Sequence, residues 1–271
     1  MKISIGNIPQ ALFLFLALAT ADIAFAQSPG TFTWPEGKQM ALSLTFDDAR
    51  ASQPAKGIPL LDEYGIKATF YLVPGTAKNQ LEGWKKAVAC GHEIGNHTVN
   101  HPCSGNFDWS RQKAIEEYSL DKMKTELVDA SEQIYQLLGV RPQVFAYPCG
   151  QTYVGRGENT ESYVPLVAEL FTSGRTWQDE APNSPDYCDF AQLTGVEMDG
   201  KDFEQIIPLL QQAQKNGKWL VLAGHEMNTD GPQTTRLSML RKLIEYVQRP
   251  GSGIWLAPVG EVSKYVQAKR K

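Results

Sequence analysis

Strand-forming and helix-forming stretches alternate along most of this chain, and the alternation limits the folds that it can adopt. The strand-forming runs are residues 41–46, 67–73, 92–95, 143–147, 171–175, 193–198, 219–224 and 253–257, and helix-forming stretches occupy 53–64, 79–89, 111–138, 161–170, 203–216, 234–248 and 259–268. Repeated strand–helix units favour a parallel sheet covered by helices. Neither a repeat nor a linker interrupts them, so residues 27–271 are predicted to form one large domain.

Polar residues follow several of these strands. Asp47 and Asp48 come directly after the first strand, Tyr147–Gly150 overlap and follow the fourth, and His225 follows the seventh. In barrels of parallel strands the active site lies at the carboxyl ends of the strands. The placement therefore favours an α/β barrel over an open sheet.

Three of the four histidines fall within ten residues, at His92, His97 and His101, and the fourth is His225. His97 and His101 are four residues apart, which would place both imidazoles on one face of a helical turn, where they could bind one metal ion. Such a pair also occurs by chance on surface helices. His92 is out of phase with them and is expected to be structural.

The adjacent acids Asp47 and Asp48 suggest a division of tasks. Neighbouring carboxylates repel each other, and a cation beside them relieves that repulsion, leaving one as a metal ligand and the other as a base with a low pKa. An Asp–Asp pair at the end of a strand can instead be a turn or a helix N-cap.

Four segments together resemble the polysaccharide deacetylases of carbohydrate esterase family 4, which share the nodulation-factor deacetylase domain. They are Thr45–Asp48, His97–His101, Phe145–Gly150 and the strand that ends at His225, and the similarity covers roughly residues 38–262. The resemblance implies a single-domain, distorted (β/α) barrel of seven or eight strands.

Carried over by position, the resemblance implies that Asp47 is the catalytic base and His225 the general acid. The implied metal ligands are Asp48, His97 and His101, which suit Zn²⁺ but also Co²⁺, Ni²⁺ or Fe²⁺. The backbone amide of Cys149 would contribute to the oxyanion hole, and Asp202 would orient His225. Two positions depart from the family pattern. Ala146 stands where many members have an arginine that holds the catalytic aspartate, and a small pair, Ala223–Gly224, precedes His225.

The expected activity is removal of N-acetyl groups from a polysaccharide or oligosaccharide, with release of acetate. An O-acetyl esterase of the xylan type and an inactive glycan-binding protein are the alternatives. Phe107, Trp109, Tyr153 and Trp177 lie near expected loops and could stack on sugar rings or simply pack under those loops. The partner that the resemblance implies is an acetylated glycan. The net charge of −4 argues against nucleic acid as a partner.

The N-terminus predicts export. Lys2, the apolar run Ala11–Ala19 and the small-residue site Ala24–Ala26 have the form of a signal peptide covering residues 1–26. Nine apolar residues are too few to span a bilayer. The mature chain is thus expected to be secreted or periplasmic, without a membrane span.

Export permits disulfides among the four cysteines. Cys103 and Cys149 are expected to border the active cleft, and a bridge from one of them to Cys188 would restrain residues 151–190. Cys90 is expected to be a buried thiol.

Overall fold

A computed structural model describes residues 32–270, so the expected signal peptide lies outside the described residues. Eight strands form one parallel sheet. They are β1 (Met40–Phe46), β2 (Thr69–Leu72), β3 (Glu93–Asn96), β4 (Val144–Ala146), β5 (Ser173–Arg175), β6 (Val196–Glu197), β7 (Trp219–Gly224) and β8 (Ile254–Leu256). The predicted α/β fold, a distorted barrel of seven or eight strands, is confirmed.

Strand β1 pairs with three other strands of the sheet. The strand order is β5-β4-β3-β2-β1-β7-β6, and β8 also pairs with the first residues of β1. The sheet is curled, so its two edge strands, β5 and β6, approach each other. Their approach is seen in the parallel bridge between Arg175 of β5 and Leu193, which lies just before β6. All strands run in the same direction, so their carboxyl ends face the same end of the barrel.

Seven α-helices of at least six residues accompany the sheet: α1 (Ile58–Glu63), α2 (Leu81–Ala89), α3 (Leu120–Leu138), α4 (Val164–Leu170), α5 (Phe203–Lys215), α6 (Leu237–Val247) and α7 (Val259–Lys269). A single helical turn, Pro74–Ala77, follows β2. The longest helix, α3, is shorter than the helix predicted over 111–138, because residues 108–117 form separate 3₁₀ turns. Ser119 caps the start of α3: its side chain accepts a hydrogen bond from the Lys122 amide. The helix ends at Gly139, whose φ of 72° is a left-handed conformation that glycine adopts without strain.

The core explains why the strands read as continuous apolar runs. All seven residues of β1 and all six of β7 are buried, as expected for parallel strands covered on both faces. Phe46 and Phe70 stack in the core with ring centroids 5.3 Å apart, and Trp84 of α2 packs edge-on against Phe70. Among residues 32–270, none of the helices combines the length and the apolar character needed to cross a membrane.

Candidate active site

Asp48, His97 and His101 form a cluster at the carboxyl end of the barrel, here called the metal corner. The Nε2 atom of His97 lies 3.4 Å from Asp48 Oδ1, and that of His101 lies 3.3 Å from the same oxygen. The two histidines converge from a loop after β3, whereas the spacing had predicted a helical turn. Thr98 and His101 have φ values of 62° and 50° in this loop, and these left-handed conformations prevent a helix.

The metal corner fits a divalent ion. Three ligands at about 2.0–2.2 Å from a tetrahedral ion lie about 3.3–3.6 Å apart, which matches the separations of the two nitrogens from Asp48 Oδ1. His97 Nδ1 is 2.8 Å from the carbonyl oxygen of Ala146, so Nδ1–H donates there and Nε2 presents its lone pair. Cys103 and Cys149 also lie near His101, but their sulfurs are joined in a disulfide and cannot act as thiolate ligands.

The protonation states also suit an ion. Burial alone would raise the pKa of Asp48, but its interactions with His97, His101 and His225 hold it well below its ordinary value. Burial, with repulsion from His97, lowers the pKa of His101 to about 4. Asp48 is therefore anionic and His101 neutral at neutral pH, the forms that bind a metal. Arg50 pairs with the other Asp48 oxygen, Oδ2, at 2.8 Å, which leaves Oδ1 to face the histidines.

Asp47 is held by an arginine that the sequence analysis did not identify. Arg175, at the end of β5, donates a hydrogen bond from Nη2 to Asp47 Oδ1, and both side chains are buried. It thus does from β5 what an arginine does in many family members at the position of Ala146 on β4. Gly195 makes room for this side chain, because a Cβ there would lie 2.6 Å from Arg175 Cδ.

His225 is oriented by Asp199, and the expectation that Asp202 does so was wrong. His225 Nδ1 lies 2.7 Å from Asp199 Oδ2, so Nδ1–H donates to the carboxylate and leaves Nε2 for the cavity. Asp202 caps helix α5 instead and contacts Arg236 at 3.1 Å. Burial alone would lower the pKa of His225, but the hydrogen bond to Asp199 and the charges of Asp47 and Asp48 raise it.

Gly224 explains the small pair before His225. A Cβ at Gly224 would lie 2.1 Å from Thr235 Oγ1 and 2.7 Å from Asp199 Oδ1. Both groups occupy that space because Thr235 Oγ1 donates a hydrogen bond to Asp199 Oδ1 at 2.7 Å. The glycine therefore admits the carboxylate that orients His225.

A buried glutamine joins the backbone at Asp47 to the backbone at His225. Gln53 Nε2 donates hydrogen bonds to the backbone carbonyl oxygens of Asp47, at 2.7 Å, and of His225, at 2.8 Å. The Asp47 amide also donates to the Gly224 carbonyl oxygen at 2.9 Å. The loops after β1 and β7 are thus fixed relative to each other.

The disulfide differs from the one expected. Cys103 and Cys149 are bonded to each other, whereas Cys188 and Cys90 are free and half-buried. Strands β3 and β4 are neighbours in the sheet, so the loops that follow them lie side by side. Cys188 lies elsewhere, against Arg270, which donates to its carbonyl oxygen at 2.7 Å. Cys149 adopts a left-handed φ of 53° in a tight turn.

One cavity of about 790 Å³ lies at the carboxyl end of the barrel, and Asp199, Arg175 and Gln53 stand behind its lining. Its lining includes Asp47, the metal corner, Cys149 and His225, and also the aromatic residues Phe107, Trp109 and Trp177. Tyr153, which was also expected near the site, does not line this cavity. It is 57% exposed and belongs to a separate two-stranded antiparallel ribbon, residues 153–154 and 161–162. His92 is buried away from the cavity, with Nε2 3.2 Å from Asp62 and Nδ1 accepting from the Ala68 amide.

The partners that the sequence analysis missed had a recognisable signal. Asp199 directly follows a predicted strand, as Asp47 does, and Arg175 is a charged residue at the last position of another. The rule that active-site groups lie at the carboxyl ends of strands would have selected both. Gln53 lies at the start of a helix-forming stretch and offers no such signal.

Comparison with known proteins finds a family match over nearly half of the chain. Residues 34–162 match the model described as "Polysaccharide deacetylase". A peptidoglycan-N-acetylglucosamine deacetylase of Bacillus cereus is 27% identical over 130 residues, which are 44% of this chain and 43% of that protein. The chain spans less than half of the length of the first curated relatives that it matches.

Solved structures share the fold. The peptidoglycan deacetylase PdaC from Bacillus subtilis aligns with a TM-score of 0.52 at 17% identity, over 88% of this chain and 95% of that one. PuuE allantoinase aligns with a TM-score of 0.64 at 15% identity, over 91% and 96%. Since an allantoinase has the same fold, the fold alone does not define the substrate. The family match over residues 34–162, the barrel and the four segments at its carboxyl end confirm the resemblance of this chain to the polysaccharide deacetylases of carbohydrate esterase family 4.

Proposed function

We propose that this protein is a metal-dependent hydrolase that removes N-acetyl groups from an acetylated glycan and releases acetate. The observation that carries the proposal is the meeting, in one cavity, of the metal corner, a carboxylate held by a buried arginine and a histidine held by a buried carboxylate. A divalent ion, most simply Zn²⁺, supplies Lewis acidity that polarises a carbonyl group and acidifies water.

Each protein group has a task in amide hydrolysis. Asp47, oriented by the hydrogen bond from Arg175, takes the proton from the attacking water. The Cys149 amide, on the turn that borders the cavity, donates to the developing oxyanion. His225 then protonates the leaving nitrogen from Nε2, because Nδ1 is engaged with Asp199. The raised pKa keeps His225 protonated, and thus able to act as an acid, to higher pH than a free histidine.

The His225–Asp199 pair favours an amide over an ester as the substrate. The nitrogen of an amide must be protonated before it leaves, whereas an alkoxide leaves an ester more easily. An O-acetyl esterase with the same metal corner would depend less on a histidine that is held protonated. Peptidoglycan, which is named for the Bacillus relatives, is one glycan that this chemistry suits.

We also propose that the protein is exported and acts outside the cytoplasm. Support comes from the signal-peptide form of residues 1–26 and from the disulfide between Cys103 and Cys149, because disulfides persist in oxidising compartments. N-terminal sequencing of the protein recovered from the producing cells tests this, and an N-terminus at Gln27 in the exported fraction is expected.

The activity is tested by measuring bound metal and acetate release on a panel of N- and O-acetylated glycans. Chelation and His97→Ala should abolish metal binding and activity. Asp47→Asn should retain the metal but lose about 10²- to 10⁴-fold in rate, the usual contribution of a positioned acid or base. His225→Ala should depress amide cleavage far more than ester cleavage. Activity that survives chelation, His97→Ala and Asp47→Asn would exclude this site.

A further inference from the structure

A buried glutamate of helix α3 holds the segment between the two histidines of the metal corner. In this segment, here called the histidine loop (residues 97–101), the amides of Val99 and Asn100 both donate to Glu126 Oε2, at 3.0 and 2.9 Å. Glu126 is only 6% exposed. We propose that Glu126 is a positioning residue, which shapes the histidine loop so that both imidazoles face the metal corner.

The other oxygen of Glu126 is engaged as well. Oε1 accepts hydrogen bonds from the Asn100 side-chain amide and from the buried Tyr118 hydroxyl, the latter at 3.1 Å. Glu126 thus accepts four hydrogen bonds, and three of the donors belong to the histidine loop. None of the four involves a ring nitrogen of a histidine, so these contacts leave the imidazoles free for an ion.

The two ends of the histidine loop are held in other ways. The Thr98 amide donates to Asn96 Oδ1 at 2.8 Å, and the His101 amide donates to Thr98 Oγ1 at 2.9 Å. The Asn96 side-chain amide in turn donates to the Leu127 carbonyl oxygen on α3 at 2.8 Å. Consecutive residues of α3 therefore hold the loop, with Leu127 fixing its start through Asn96 and Glu126 fixing its middle.

The backbone of the histidine loop needs such support. Left-handed conformations such as those of Thr98 and His101 cost free energy and persist only where the surrounding contacts hold them. Without Glu126, two amides would lose their shared acceptor, and the loop would have to rearrange to pair them with water. Ligands that are held in place beforehand bind more tightly, because less order has to be imposed when the ion binds. This inference rests on the metal dependence in the proposed function.

Zinc affinity, measured by calorimetry in competition with a chelator, tests the positioning role without reference to acetate release. Glu126→Leu should weaken zinc binding about 10- to 100-fold, the usual loss when a partner behind a metal ligand is removed. Hydrogen exchange at the Val99 and Asn100 amides should become faster. The visible spectrum of the Co²⁺-loaded protein should also change, since the ligands are no longer held in one geometry. Glu126→Gln keeps an oxygen for the two amides and should restore most of the affinity.

Ile134→Ala is the matched control, because Ile134 is completely buried on the same helix about two turns beyond Glu126. It should lower stability to denaturant and leave zinc affinity and the Co²⁺ spectrum unchanged. Should Glu126→Leu fail to fold, Glu126→Asp is the milder variant, and it should weaken zinc binding in the same direction by less.

Loss of stability without loss of zinc affinity in the folded Glu126 variants would overturn the positioning role, and so would equal losses of affinity in Ile134→Ala. A parent protein that binds no zinc would overturn both this role and the metal corner. Zinc binding that depends on Glu126 in a protein that releases no acetate would support the role while refuting the deacetylase.

Discussion

The metal corner and the two acid–base pairs, Asp47–Arg175 and His225–Asp199, are built in different ways. Two residues of the metal corner, His97 and His101, come from one five-residue loop after β3. The third, Asp48, follows β1, which is separated from β3 in the sheet by β2. In the acid–base pairs, Asp47 and Arg175 are 128 residues apart in sequence and His225 and Asp199 are 26 apart. A metal site needs donor atoms at the right separations, whereas a base or an acid also needs a buried partner that sets its charge and orientation.

Removal of Arg175 should have the largest effect. Arg175→Met leaves the buried carboxylate of Asp47 without its counter-charge, which typically destabilises a protein by about 3–5 kcal/mol. Misplacement of the base should also lower kcat/KM by about 10²-fold. Metal content should change little, because the metal corner does not include Arg175. Denaturant unfolding, acetate release and metal analysis measure the three effects.

Two further variants sharpen this result. Arg175→Lys keeps the charge and should recover stability more than activity, because an ammonium group does not reproduce the geometry of a guanidinium group. Arg175→Met combined with Asp47→Asn removes both charges and should be more stable than Arg175→Met alone. If the double variant were equally unstable, the loss would come from packing rather than from an unpaired charge.

The same contrast explains what the sequence could predict. The β1 end, the histidine pair and His225 were identifiable because short segments carry both the strand and its polar end. Arg175 and Asp199 act through pairing across the barrel, and pairing depends on sheet order and curvature. Asp199 and Asp202 are only three residues apart, and a helix cap and a buried partner of a histidine look alike in sequence. The partner of Cys103 likewise depended on the adjacency of β3 and β4.

Asp199→Asn should have an intermediate effect. Loss of the carboxylate lowers the pKa of His225, since the hydrogen bond to Asp199 is the main influence that raises it. The general acid must be protonated, so activity is present below this pKa and is lost as the pH rises through it. The alkaline limb of kcat/KM should therefore move to lower pH, with roughly a tenfold loss at neutral pH, at the low end of the effect of losing such a partner.

Asp202→Asn is the matched control for that measurement. It removes a carboxylate that contacts Arg236 and caps α5, so it should reduce stability slightly and leave the pH profile unchanged. A shift of the alkaline limb in Asp202→Asn that equals the shift in Asp199→Asn would return the orienting role to Asp202.

The disulfide links the two kinds of region, and its loss should affect activity least. It joins the loop of His101 to the turn of Cys149, across 46 residues of chain. The double variant Cys103→Ser, Cys149→Ser should lose about 2–4 kcal/mol of stability, the usual contribution of a native disulfide. Its rate should fall only a few-fold once metal is bound, because ligation holds His101 and Pro148–Gly150 retains its own turn hydrogen bonds.

Cys90→Ser with Cys188→Ser controls for the loss of two sulfurs. Metal affinity provides the sharpest readout: a decrease confined to the Cys103 and Cys149 variant, reversed at saturating zinc, would show that the disulfide positions His101. A rate that stays low at saturating zinc would instead place its main effect on the Cys149 turn.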